Sequence, residues 1–158
     1  LDRQVMLLCN PAENGGLPGD LVGVEGPEAC AHNGFKAASI AASSMAAEAM
    51  KLSMPASVFS RSTELHNQDK VPMATTAARD LIRVTELAEQ VLSVALLAAC
   101  QALDLRGLEG DGAVATLRQT LRAEVPRLEG DRRMDLDQAA VLRLLREDQL
   151  VECEIELQ

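Results

Sequence analysis

The fold is decided by Ala77-Ala78-Arg79-Asp80-Leu81-Ile82-Arg83-Val84-Thr85-Glu86-Leu87-Ala88-Glu89-Gln90-Val91-Leu92-Ser93-Val94-Ala95-Leu96-Leu97-Ala98-Ala99-Cys100-Gln101-Ala102. Within this run Ala77, Leu81, Val84, Ala88, Val91, Ala95, Ala98 and Ala102 step by 4,3,4,3,4,3,4, a sustained heptad seam. Arg79, Arg83, Glu86 and Gln90 cover the opposite side at first, and after Val91 the run is apolar nearly all round. That pattern marks a helix at the centre of a bundle. The spacing predicts a helix from Val71 to Leu105 with Gly107 as its C-cap. As a bundle centre, most of its seam, Leu81 included, is expected to be nearly fully buried.

Working outward, residues 30–52 are Ala-rich and close at Met54-Pro55, a second helix whose small side chains allow close approach. Residues 1–9 read as the last turns of a helix that Asn10-Pro11 ends. The chain therefore looks like a piece of something longer. Glycines and prolines between 11 and 29 make that stretch a loop with a short turn. Two shorter helices are expected near 113–124 and 135–149, the second opened by a capping box in Asp135-Leu136-Asp137-Gln138. In the tail, Val151, Cys153, Ile155 and Leu157 alternate with Glu152, Glu154 and Glu156, the period of a half-buried strand whose partner must come from elsewhere. The expectation is an all-α single helical domain over 1–158, a bundle of long helices with a short C-terminal extended segment.

Composition agrees. Apolar residues make up 47% of the 158, but aromatics only 1%, with two Phe and neither Tyr nor Trp. A core of Ala, Leu, Val and Met suits helix packing better than sandwiches or barrels. The net charge of −9 repels phosphate backbones, which argues against nucleic acid as a partner. The longest apolar stretch, near Val94–Cys100, is too short to span a bilayer. Cys9, Cys30, Cys100 and Cys153 form no CxxC pair and read as reduced thiols of a cytoplasmic protein. His32 and His66 stand far apart with no cysteine pair beside them, so no metal site is expected. The glycine-rich Asn14–Gly19 follows no strand and opens no helix, and reads as loop rather than as a phosphate cradle.

The densest polar stretch is Ser60-Arg61-Ser62-Thr63-Glu64-Leu65-His66-Asn67-Gln68-Asp69-Lys70. If its second half is helical, Glu64, Asn67 and Gln68 share one face at i, i+3, i+4. A carboxylate and two amides there suit an ammonium and a carboxylate at once. On pattern alone, a solvated interhelical loop with caps outweighs that reading.

Several motifs together resemble the histidine/phenylalanine/tyrosine ammonia-lyase family. They are Ser57-Val58-Phe59-Ser60, His66-Asn67-Gln68-Asp69, Met73-Ala74-Thr75, Ala77-Ala78-Arg79 and Leu96–Arg106. Asp2-Arg3, Asn10-Pro11, Gly16-Leu17-Pro18 and Asn33-Gly34-Phe35 resemble the approach to them. The likeness is strong over residues 1–106, looser afterwards, and corresponds to the C-terminal part of the family's chain. It implies an enzyme that eliminates ammonia from an aromatic amino acid with an electrophilic 4-methylidene-imidazol-5-one, formed in the family from an internal Ala-Ser-Gly. This sequence contains no Ala-Ser-Gly, and no Tyr to match the family's catalytic base. Both essentials are expected upstream, no catalytic residue within it, and the piece alone is expected to be inert.

By resemblance, Gln68 faces the prosthetic group and the substrate amine where histidine-specific members carry a carboxylate, and Glu64 and Asn67 are further substrate-binding positions of phenylalanine-type members. Pro72 and Ala74 depart from the family's usual Ser and Gly. The family is tetrameric, which implies a homo-oligomer or association with the missing N-terminal portion. An aromatic amino acid 2,3-aminomutase fits the same residues, and a non-catalytic helical interaction protein on the same scaffold is the rival from another class.

Overall fold

The computed structural model describes residues 1–150. It consists of five α-helices joined by loops and short 3-10 turns, with no named strand among the described residues. The alternating tail at 151–158 lies outside the described residues. Helix α1 spans Asp2–Cys9, α2 Lys36–Leu52, α3 Ala74–Leu105, α4 Gly112–Glu124 and α5 Met134–Arg146. The bundle is all-α, as its composition implies.

Helix α3 is the spine, packing against α1, α2 and α5. Its buried residues begin at Leu87 and run through Val91, Val94, Leu97, Ala98, Cys100 and Ala102. The central-helix reading therefore holds for the C-terminal half and fails for the N-terminal half. Ala77 and Ala88 are exposed and Leu81 is 64% exposed; the bonds from α5 meet α3 at Glu89 and Gln90, and the groove that α1 borders is lined on α3 from Leu92 onward. The seam continues past its intrachain partners. Helix α2 lies along α3 through the small side chains of Ala38 and Ala42, with Glu48 bonded to Arg83 at 2.8 Å.

Helix ends deviate from sequence expectation for local reasons. Gly107, at φ +64, terminates α3: its N–H donates to Asp104 O and the N–H of Leu108 to Leu103 O, a Schellman pair. Helix α3 starts at Ala74 rather than Val71 because Pro72 disfavours helical backbone in the residue before it, and the Ser60 hydroxyl bonds both the N–H and the C=O of Val71. Helix α2 starts at Lys36, since residues 27–31 form a 3-10 turn and Phe35 N–H is drawn to Asp20 O at 2.7 Å. The expected capping box at Asp135 is absent. Helix α5 begins one residue earlier, Asp135 pairs with Arg133 at 2.6 Å, and Gln138 donates to Gln90 O on α3.

Polar side chains hold the segments that lack helix. Gln101, 1% exposed on α3, donates from Nε2 to Leu128 O (2.9 Å) and Leu21 O (3.2 Å) and accepts from Leu128 N–H at 3.0 Å. The segments it ties together run so close that a Cβ on Gly23 would stand 1.9 Å from Leu128 O. The Asp131 carboxylate accepts the backbone N–H groups of Asn33 and Gly34 at 2.8–3.0 Å, which lowers its pKa. Asp104, at the end of α3, pairs with Arg118 (2.6 Å) and Arg122 (2.7 Å) of α4. In the glycine-rich loop, Asn14 Nδ2 donates to Leu8 O and its Oδ1 accepts from Leu17 N–H. That loop is a plug on the end of α1.

Two predictions follow from this packing. Gln101→Leu keeps side-chain bulk but strips partners from three buried backbone groups, and should cost about 2–5 kcal/mol in a urea unfolding curve followed by circular dichroism. The Cys9 thiol, in the core, is pushed up to about 11 by burial, with Asp20 adding to the effect. It stays protonated in the folded state after the unfolded thiol has begun to ionise, so its contribution is intact below about pH 9 and is lost as pH rises towards 11, about 2–3 kcal/mol in all. Melts between pH 8 and 11 should therefore fall less steeply for Cys9→Ala than for the parent.

Candidate functional site

The polar stretch singled out in the sequence leaves the helical bundle as a closed turn. A 3-10 turn at Ala56–Phe59 leads into it from α2. The hydroxyl of Ser60 then donates to Val71 O at 2.8 Å and accepts from Val71 N–H at 2.9 Å, closing the base. Higher up, Thr63 and Gln68 form an isolated antiparallel bridge, with N–H···O distances of 3.0 and 3.2 Å in the two directions. Residues 61–70 are all exposed in this chain.

Glu64, Asn67 and Gln68 are therefore not on a helical face. Glu64, Leu65 and His66 take φ of 53, 54 and 71, three successive non-glycine residues in the left-handed region. Each costs of order 1 kcal/mol, so other interactions must hold the bend. The turn supplies some itself: Ser62 Oγ lies 2.7 Å from His66 Nδ1, and Asn67 N–H donates to Glu64 O at 3.0 Å. The bend brings Asn67 to Glu64 and sets Gln68 against Thr63 across the bridge. Asn67 Nδ2 reaches Glu64 Oε2 at 3.4 Å, and Gln68 Oε1 accepts from Thr63 Oγ1 at 3.3 Å. Leu65, fully exposed, stands at the tip beside them.

Chemically the turn offers a carboxylate, two amides and an imidazole, none committed to the core. At its foot an apolar groove of about 800 Å³ runs between the end of α2 and the start of α3, lined by Met50, Met54, Phe59 and Met73. Among the described residues no cluster of three or more His, Cys, Asp or Glu could hold a metal, and no helix is long and apolar enough to cross a membrane. Sequence reading passed over Ser60 as the residue that closes the turn and Gln101 as the one that ties the core beneath the bundle's loops. Gln101 carried a signal, as an amide inside an otherwise apolar run; Ser60 carried none, since only the fold brings Val71 to it.

Comparison with known proteins gives this geometry a family. The profile of the aromatic amino acid lyases matches residues 1–124, so the chain belongs to that family. A histidine ammonia-lyase from Gloeobacter violaceus is 36% identical over 153 residues, covering 96% of this chain and 29% of that protein. One from Burkholderia multivorans is 36% identical over 144 residues, 91% of this chain and 28% of its own length. Among solved structures, tyrosine aminomutase from Streptomyces globisporus superposes with a TM-score of 0.87 at 31% identity, over 99% of this chain and 30% of that one. Histidine ammonia-lyase from Trypanosoma cruzi gives 0.85 at 31%, over 94% and 28%. The chain thus spans under a third of the length of the relatives it matches.

Proposed function

We propose that this chain is the C-terminal portion of an ammonia-lyase that eliminates ammonia from an aromatic amino acid. The observation that carries the reading is the polar turn, which presents Glu64, Asn67 and Gln68 together on a scaffold that superposes on solved ammonia-lyase and aminomutase structures. These side chains are the substrate-binding contribution of this piece. The Glu64 carboxylate can pair with an ammonium, and the amides of Asn67 and Gln68 can bind and orient the substrate through hydrogen bonds. The methylidene-imidazolone, made from a tripeptide that this sequence lacks, supplies the electrophile when present. The donor set on the turn fits a polar wall beside such a group, since its two amides offer both donors and acceptors. The 158 residues alone are inert, because neither the tripeptide nor a tyrosine base is among them. The aminomutase reading is supported by the TM-score of 0.87 to a tyrosine aminomutase. Unpaired Cys9, Cys30 and Cys100 support a cytoplasmic setting.

The reading includes assembly. The seam residues Ala77, Leu81 and Ala88 face solvent in the single chain, and helix α1 borders an apolar groove of about 630 Å³ with Leu92, Leu96 and Ala99. Soluble monomers rarely leave such faces open. We assign them to contacts within a homo-oligomer or with the N-terminal portion of the protein.

Incubating the full-length protein with histidine, phenylalanine and tyrosine tests the activity. Release of ammonia with an unsaturated acid supports the lyase, a β-amino acid supports the aminomutase, and neither product leaves the scaffold reading. In an active protein Gln68→Glu should favour histidine over phenylalanine or tyrosine by roughly ten- to a hundredfold in relative kcat/KM, through a charge-assisted contact to an imidazolium. An unchanged ratio in a folded variant would remove Gln68 from the pocket. Leu81→Asp should leave the fold of the single chain within about 0.5 kcal/mol of the parent. The same variant should lower the sedimentation mass of the full-length protein if the open seam is an interface.

A further inference from the structure

We infer that Ser60 is a positioning residue for the turn bearing Glu64, Asn67 and Gln68, an inference whose functional half rests on the reading just given. Ser60 is 6% exposed, whereas the ten residues after it are all exposed. Its hydroxyl both donates to and accepts from the backbone of Val71, eleven positions along, so one side chain closes the loop in two directions. Two cross-links therefore determine where Gln68 stands: this one and the Thr63–Gln68 bridge. The bridge lies in solvent, where water competes for each partner, while the Ser60 link is sheltered and loses more when broken.

The constraint also acts on α3. Val71, which Pro72 keeps out of the helix that begins at Ala74, has both its N–H and its C=O held by Ser60, which fixes the base of the turn against the start of α3. Released, the base of the turn would lose its fixed offset from α3. Three consecutive left-handed residues make such a loss easy, because the bend relaxes once nothing enforces it. Ser60 thus acts on substrate only through the placement of the turn. A displacement of about an ångström in a positioning group is enough to cost orders of magnitude in rate.

The test compares Ser60→Ala with Ser60→Thr in the full-length protein. In Ser60→Ala, amide exchange at Thr63, Gln68 and Val71 should quicken by about tenfold or more, and KM for the aromatic amino acid should rise about tenfold while the melting temperature stays near the parent's. Ser60→Thr, which keeps the hydroxyl, should restore both. Parent-like exchange at those amides in Ser60→Ala, or a melting temperature that drops with KM unchanged, would overturn the inference. If Ser60→Ala does not fold, Ser60→Thr against Ser60→Val, equal in shape and different in the hydroxyl, decides it: equal exchange in the two overturns it. Should the parent turn over no aromatic amino acid, the lyase and aminomutase reading fails, while the exchange contrast still judges whether Ser60 holds the turn.

Discussion

The Gln101 amide joins three parts of the chain that share no regular secondary structure with one another. It projects from α3, donates to the loop before α2 at Leu21, and both donates to and accepts from the α4–α5 linker at Leu128. An aliphatic residue there would fill the same space and leave three buried backbone groups without partners, which is why an amide stands in an apolar stretch. The rest of the packing is arranged around that exchange. Leu21, Val125 and Leu128 close over it, and Gly23 lacks a side chain where one would collide with Leu128 O.

The linker is secured in the same manner by charge. Arg132 donates to Pro126 O (2.7 Å) and Arg127 O (3.0 Å) while pairing with Asp137 at 2.9 Å, and Asp131 receives the Asn33–Gly34 backbone. Gly34 fits because a Cβ would come within 2.3 Å of Asp20 O. These contacts occupy loop backbone that no helix serves, and a bundle poor in aromatics has few large side chains with which to cover it. Polar clamps take that part.

The helices were legible because their signals are local: the heptad steps of α3, the alanines of α2, the breakers Asn10-Pro11 and Gly107. What escaped the sequence was every feature requiring two distant segments. The seam could be seen, but not that α1 and α5 cover only its second half. The start of α2 shifted where a remote oxygen competed for an N–H, as Asp20 does at Phe35. Helical spacing put Glu64, Asn67 and Gln68 on one face, whereas a left-handed bend pairs Asn67 with Glu64 and Gln68 with Thr63, a conformation that non-glycine residues do not announce. The motif resemblance reached the family, which the profile match over residues 1–124 bears out.

The clamp between Gln101 and Leu128 separates two ideas of a boundary. The family profile ends at residue 124, one residue short of a linker that the interior of the bundle depends on, whereas the likeness to individual relatives runs on through that linker. The edge of the profile is therefore not a mechanical border. The stretch from Val125 to Asp131 belongs to the load path of the preceding helices: Leu128 is bound through its main-chain N–H and O, Val125 and Leu128 are buried, and the Asp131 carboxylate takes the Asn33–Gly34 backbone. A segment held in that way tolerates change only at side chains that neither enter the core nor carry a clamp, and only while its backbone keeps its course.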